Sequence, residues 1–205
     1  MRIAIDGPAA AGKTTLARSL AQELRFLFVP TGAMYRAAAL AHQRGLPLDS
    51  LDIAVREGGR ILLNGEDVTA LLACSDLDEL SSRLAVDGRV RRNLVEIQRR
   101  IAAGGDVVME GRDIGTVVLP QAELKIYLWA TEEERARRRL HEQGGVFEDV
   151  LAAIRRRDER DSTRADSPLR AARDAVVVDT TGKNPQEVLA LVRDLAEERR
   201  VRVDR

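Results

Sequence analysis

Residues 7 to 14 read GPAAAGKT, so Gly7, Pro8, Ala9, Ala10, Ala11, Gly12, Lys13 and Thr14 fill the pattern G-x-x-x-x-G-K-[ST] without a mismatch. Directly before them, RIAID (2 to 6) is a short β-branched apolar run of the kind that forms a strand buried on both faces. Directly after them, TLARSLAQEL (15 to 24) places Leu16, Leu20 and Leu24 at helical spacing. A strand that runs through a glycine loop into a helix turns its backbone N–H groups inward and adds the positive end of the helix dipole. That combination holds phosphate. The loop from Gly7 to Thr15 is therefore expected to cradle a nucleoside triphosphate, ATP with Mg²⁺. Lys13 would set a point charge against the β and γ phosphates, and Thr14 would offer its hydroxyl to the metal. Asp6, just ahead of the loop, can either cap the strand end or help to position the metal or an attacking group, and both readings stay open.

Along the rest of the chain, helices are expected from Gly32 to about Gln43, from about Asp87 to Ala103, from Thr131 to Gln143, over 147 to 164, and from Pro185 to about Arg200. The apolar runs DVVM (106 to 109), LKIYLW (124 to 129) and AVVVD (175 to 179) alternate with them as strands. Strands separated by helices predict an α/β architecture, a central parallel sheet flanked by helices, which with the phosphate loop is a P-loop NTPase fold. RILLNGEDV (60 to 68) breaks the series. Its Asn64-Gly65 between apolar runs is the strongest short-range signal for a hairpin, which has no place in a doubly wound sheet. Roughly residues 45 to 85 therefore read as an inserted lobe.

A chain of 205 residues, 44% hydrophobic, can bury one core, so a single domain with insertions is expected. Its 33 basic and 33 acidic residues cancel, leaving no global field for nucleic acid or an anionic membrane, and any anion site must be local. An aromatic content of 3% leaves little for base stacking. Thirty of the basic residues are arginine, whose fork grips phosphate and carboxylate in a bidentate way. Cys74 is alone, which excludes a disulfide framework and a Cys-based metal site. A charge at Asp6 interrupts any signal-peptide core, and no apolar run is long enough to span a bilayer. The resulting expectation is a cytoplasmic monomer with small-molecule partners, bound to neither nucleic acid nor membrane. No N-K-x-D motif is present, and the D-x-x-G match at Asp179 to Gly182 comes too late for a guanine-nucleotide switch and reads as a strand-end turn.

Three further segments carry chemistry. Thr31 is expected to cap the second helix, with Tyr35 and Arg36 projecting one turn on. EGRDIGT (110 to 116) follows a buried strand, and ligands bind at the carboxyl ends of strands in this architecture. Arg157, Asp161 and Arg164 stand at i, i+4 and i+7, so Asp161 is placed to orient both arginines. Arg135, Arg138 and Arg139 follow three glutamates. Some of them read as surface pairs, and one or two as arginines that swing onto a transferring phosphoryl group.

The segments GPAAAGKTT, TGAMYR, LNGEDVT, VRRNLVEIQRR, EGRDIGTVVLP and RRRDERDSTR, in this order and spanning most of residues 2 to 180, resemble the bacterial cytidylate kinase family. The resemblance implies a nucleoside monophosphate kinase that moves the γ-phosphoryl group of ATP to CMP or dCMP. It implies one kinase domain over 1 to 205, with a core of about 1 to 30, 86 to 130 and 170 to 205. An acceptor-binding insert would cover about 31 to 85 and a helical lid about 131 to 169. It implies that Thr31 and Tyr35 bind the acceptor nucleotide, that Ser82, Arg91 and Asp113 read the cytosine ring, and that Arg112 holds the CMP phosphate. Arg157, Asp161 and Arg164 would contact ribose or phosphate, and Lys13, Arg112 and the lid residue Arg138 would carry the transfer. Cytosine's amino donor and ring acceptors match a carboxylate beside arginine and hydroxyl donors, where uracil's carbonyl would meet the carboxylate badly. Pro30 stands where similar proteins usually have Asp, and it cannot accept a hydrogen bond from ribose.

Overall fold

The computed structural model describes residues 1–203. Its core is a parallel sheet of five strands in the order β2-β6-β1-β7-β8: β2 (Leu27–Pro30), β6 (Val107–Gly111), β1 (Arg2–Asp6), β7 (Leu124–Trp129) and β8 (Val176–Asp179). Both faces of β1 are covered, and Ile3, Ala4 and Ile5 are fully buried, which accounts for its unbroken apolar run. Helices α1 (Lys13–Leu24) and α7 (Pro185–Val203) pack against one face, and α2 (Thr31–Gln43) and α4 (Gly88–Ala103) against the other. From β1 the chain crosses to β2 at one edge, later fills the gap with β6, and then moves to the far side of β1 for β7 and β8. The crevice at the carboxyl ends of β1 and its neighbours is the binding position of such a sheet.

The insertion expected from Asn64-Gly65 is present as a three-stranded antiparallel sheet of β3 (Ile53–Arg56), β4 (Arg60–Leu63) and β5 (Glu66–Asp67). Asn64 and Gly65 both take positive φ, 49° and 83°, as the turn demands. Helix α3 (Ser75–Leu84) follows, and between β7 and β8 helices α5 (Glu132–Gln143) and α6 (Phe147–Thr163) pack on each other where the lid is expected.

Two differences from the sequence reading have physical causes. Strand β2 was not expected, because α1 ends on Arg25 in the left-handed region (φ 58°) where a glycine would have marked the break. The strand closes on Pro30, tolerated because β2 lies at the sheet edge. Thr31 does not cap α2. Pro30 occupies the cap position and makes no side-chain bond, while the Thr31 hydroxyl donates to the Glu110 carbonyl at 2.7 Å and ties the helix start to β6.

The end of β1 is fixed from both sides. A Cβ on Gly7, whose φ is +147°, would lie 2.3 Å from the Leu128 carbonyl oxygen, so only glycine lets the phosphate loop leave the strand against β7. Asp6 accepts from the N–H groups of Ile114 at 2.8 Å and Gly115 at 2.7 Å, starting the π-type turn Ile114–Val118 after β6. Of its two open readings, the capping one is what the geometry carries. Asp6→Ala strands two buried N–H groups and is expected to lower stability by about 2 to 4 kcal/mol, read from urea unfolding midpoints.

Candidate active site

A cavity of about 560 Å³ opens over the phosphate loop and is lined by Ala10 through Leu16 together with Arg137, Arg138, Thr180 and Lys183. Gly7, Pro8 and Ala9 do not line it. Lys13 is 5% exposed and folds back so that its Nζ donates to the Pro8 carbonyl at 2.6 Å. Burial, and after it the nearby Arg112 guanidinium, lowers the Lys13 ammonium to a pKa of about 7. The Thr14 hydroxyl donates to Glu110 Oε1 at 3.2 Å. Glu110 was given no role from sequence. It ends a buried strand hydrogen-bonded beside β1, opposite Ile5, and an acid closing the apolar run DVVM was the signal that could have singled it out. Among the described residues no three acidic, histidine or cysteine side chains gather as a metal cage. An all-oxygen pair, hydroxyl and carboxylate, beside a phosphate cradle is nevertheless the donor set that suits Mg²⁺, which draws several ligands from substrate and water.

A second cavity is about 50 Å³ and is lined by Thr31, Tyr35, Ser82, Arg91, Arg112, Asp113, Arg157, Asp161 and Arg164, with Gly32, Ser81, Ala85 and Gly111 between them. These nine are the whole set of acceptor residues expected from the sequence, gathered from α2, α3, α4, the loop after β6, and α6 with the residue that follows it. Arg91 pairs with Asp113 inside the protein, and Arg112 Nε donates to Asp161 Oδ2 at 2.8 Å. Asp161 therefore hydrogen-bonds Arg112, and of the two arginines its spacing pointed to, Arg164 meets it at ion-pair distance while no bond links it to Arg157. Arg164 lies beyond the end of α6 with its Nη1 4.0 Å from Asp161, while the Nε of Arg157 has no partner. Four buried polar atoms of these lining residues lack a hydrogen-bond partner, namely Tyr35 Oη, Arg91 Nε, Arg157 Nε and Arg164 Nη2, the last 3.8 Å from Asp113 Oδ1. Burial pushes the Tyr35 phenol up to about 12, so the tyrosine stays a neutral hydroxyl. Burial and then Arg112 weaken the hold of Arg157 on its proton, while burial and then Arg91 do the same to Arg164. Asp161 is held below the usual carboxylate range, burial being outweighed by Arg112 and Arg157.

The lid arginines divide. Arg138 lies over the donor cavity and donates to the Thr180 carbonyl at 2.6 Å and hydroxyl at 3.0 Å, with Glu134 on its Nε at 3.1 Å. Arg135 is not a mobile finger. It is buried, donates from Nε to the Ala130 carbonyl at 3.0 Å and from Nη1 to the Ala9 carbonyl at 3.2 Å, and pairs with Asp158. Arg139 pairs with Asp78, which also takes Arg36 at 3.1 Å. Asp78 was given no role from sequence, because its partners Arg36 and Arg139 lie 42 and 61 positions away.

Residues 3–198 match the family described as cytidylate kinase. The chain is 48% identical to the cytidylate kinase of Carboxydothermus hydrogenoformans, over 93% of this chain and 94% of that protein. It is 44% identical to the cytidylate kinase of Syntrophotalea carbinolica, over 96% and 92%. Among solved structures, an uncharacterized protein from Eubacterium ventriosum shares the fold at a TM-score of 0.60 and 12% identity, covering 96% of this chain and 98% of that one.

A polyanion on the phosphate loop favours charged Lys13. Above a free-state pKa of about 7, binding must then take up a proton, and affinity is expected to fall by up to about tenfold per pH unit as pH rises from 7. Calorimetry of a non-hydrolysable ATP analogue at pH 8, in buffers of different ionisation enthalpy, should record uptake approaching one proton, and Lys13→Met should abolish it.

Proposed function

The chain belongs to the cytidylate kinase family, a nucleoside monophosphate kinase that phosphorylates CMP and dCMP with ATP as donor, and from that premise we propose how its residues divide the work. The 560 Å³ cavity takes ATP, and the 50 Å³ cavity is the closed form of the CMP site. The observation that carries the second assignment is that four residues lining one small cavity each keep a buried polar atom without a hydrogen-bond partner. Burying such groups unpaired is costly, and a nucleotide supplies the missing partners. Asp113 would accept from the cytosine amino group, with Arg91 and Ser82 donating to the ring acceptors. Arg112 would hold the acceptor phosphate, with Arg157 and Arg164 on phosphate or ribose and Thr31 and Tyr35 along the acceptor nucleotide.

Transfer needs no general base, because a phosphate monoester with a second pKa of about 6 is already a dianion near neutral pH. The task is to bring two anions together and neutralise charge at the moment of transfer. Lys13 serves the donor side and Arg112 the acceptor side, close enough that Arg112 depresses the Lys13 proton affinity, and Arg138 reaches the transferring group from the lid. Mg²⁺ on Thr14, beside Glu110, would screen the β and γ oxygens of ATP. A 50 Å³ space is far below the roughly 300 Å³ of a small-molecule site, so CMP enters only when the acceptor insert (about 31 to 85) and lid (about 131 to 169) separate from each other. Closure then excludes water as a competing acceptor. Balanced charge, with no described helix long and apolar enough to cross a membrane, fits a monomer acting on small molecules in the cytoplasm.

In an acceptor panel read by ADP release, CMP and dCMP should outpace UMP and AMP. Arg112→Ala should lower turnover by about 10²- to 10³-fold while leaving ATP binding nearly intact, and equal losses in both would remove Arg112 from the acceptor side.

A further inference from the structure

Arg160 lies on α6, at the edge of the acceptor cavity, and its guanidinium crosses to α3. Nη1 donates to Ser82 Oγ at 2.8 Å, and Nη1 and Nη2 donate to the Glu79 carboxylate at 3.4 and 3.0 Å. The Glu79 fork fixes the guanidinium plane and aims Nη1 at the hydroxyl. Ser82 is 6% exposed, lines the acceptor cavity, and among the described residues has no other side-chain hydrogen-bond partner. No role has been given to Arg160 so far.

We propose that Arg160 is a positioning residue that sets the base preference of the acceptor site, an inference that rests on assigning the 50 Å³ cavity to CMP. Guanidinium carries donors and no acceptor, so a hydroxyl that accepts from it keeps its own proton free to donate into the cavity. At ring position 3 cytosine carries a bare nitrogen that accepts, whereas uracil carries an N–H that donates. A hydroxyl polarised as donor matches the first and meets the second donor to donor. Asp113 discriminates at the adjoining exocyclic position, where an amino donor is matched and a carbonyl is not. Two neighbouring positions are then read with opposite polarity, a pattern that cytosine satisfies and uracil inverts. Ser82 stands on the acceptor insert and Arg160 on the lid, so this polarity exists only when the two are packed together. Base reading is thereby tied to closure.

The test is steady-state kinetics with CMP and with UMP at saturating ATP for the parent enzyme, Arg160→Met and Arg160→Lys. Arg160→Met should lower kcat/KM for CMP by about tenfold and that for UMP little, collapsing the preference, with KM for ATP and the melting temperature unchanged. Arg160→Lys, which keeps a donor within reach of Ser82, should restore part of it. Adding Ser82→Ala to Arg160→Met should cost little more, since the two act through one bond. Equal losses for both acceptors, or an unchanged CMP to UMP ratio, would overturn the proposal and reduce Arg160 to a structural contact. A parent enzyme without preference for CMP over UMP would instead strike at the acceptor assignment beneath it.

Discussion

Arg112 Nε sits 2.8 Å from Asp161 Oδ2, a largely buried pair that joins the loop after β6 to helix α6, and much of the 50 Å³ cavity proposed for the acceptor is arranged around it. The cavity lining holds four arginines, Arg91, Arg112, Arg157 and Arg164, and only two carboxylates, Asp113 and Asp161. Burial weakens the proton affinities of Arg157 and Arg164, while Asp78 outside the lining offsets part of the Arg157 charge. An excess of arginine over carboxylate in the lining would suit the phosphate monoester dianion of the proposed acceptor.

The donor side is built on the opposite plan. Its ligand contacts come from consecutive residues, with Lys13 parked on the Pro8 carbonyl and Gly7 wedged against Leu128, so the loop is shaped by local backbone geometry and one neighbouring strand. Local geometry is what a sequence states most directly. The strand, loop and start of α1 could be read from residues 2 to 24, and the hairpin from the two positive-φ residues at its tip. The acceptor residues were reached by likeness to a family, and their assembly into one cavity from five separate segments could not have come from spacing alone.

Where the reading of residues went astray, a distant partner had outbid a near one. The spacing of Arg157, Asp161 and Arg164 pointed to a helix-face network, yet Asp161 turns to Arg112, 49 positions away. Thr31 had the identity of a cap and uses its hydroxyl on the Glu110 carbonyl. Arg135 resembled a mobile lid cation and is locked between Ala9 and Asp158. In each case the bond is wholly or partly buried, where a hydrogen bond counts for more than one shared with water.

The lid has two unequal seams. Towards the phosphate loop it is held by the Arg135 and Asp158 pair, buried on the arginine side, and by the Ala9 N–H, which donates to Asp158 at 3.4 Å. Towards α3 it is held by Arg139 on Asp78 and Arg160 on Glu79, whose side chains are part-exposed to well exposed. Mobile ions screen exposed pairs strongly and buried ones little. If helices α5 and α6 close over the acceptor as proposed, added salt would weaken the seam towards α3 and largely spare the one towards the phosphate loop, so the ionic strength of the surroundings would act on one end of the closure alone.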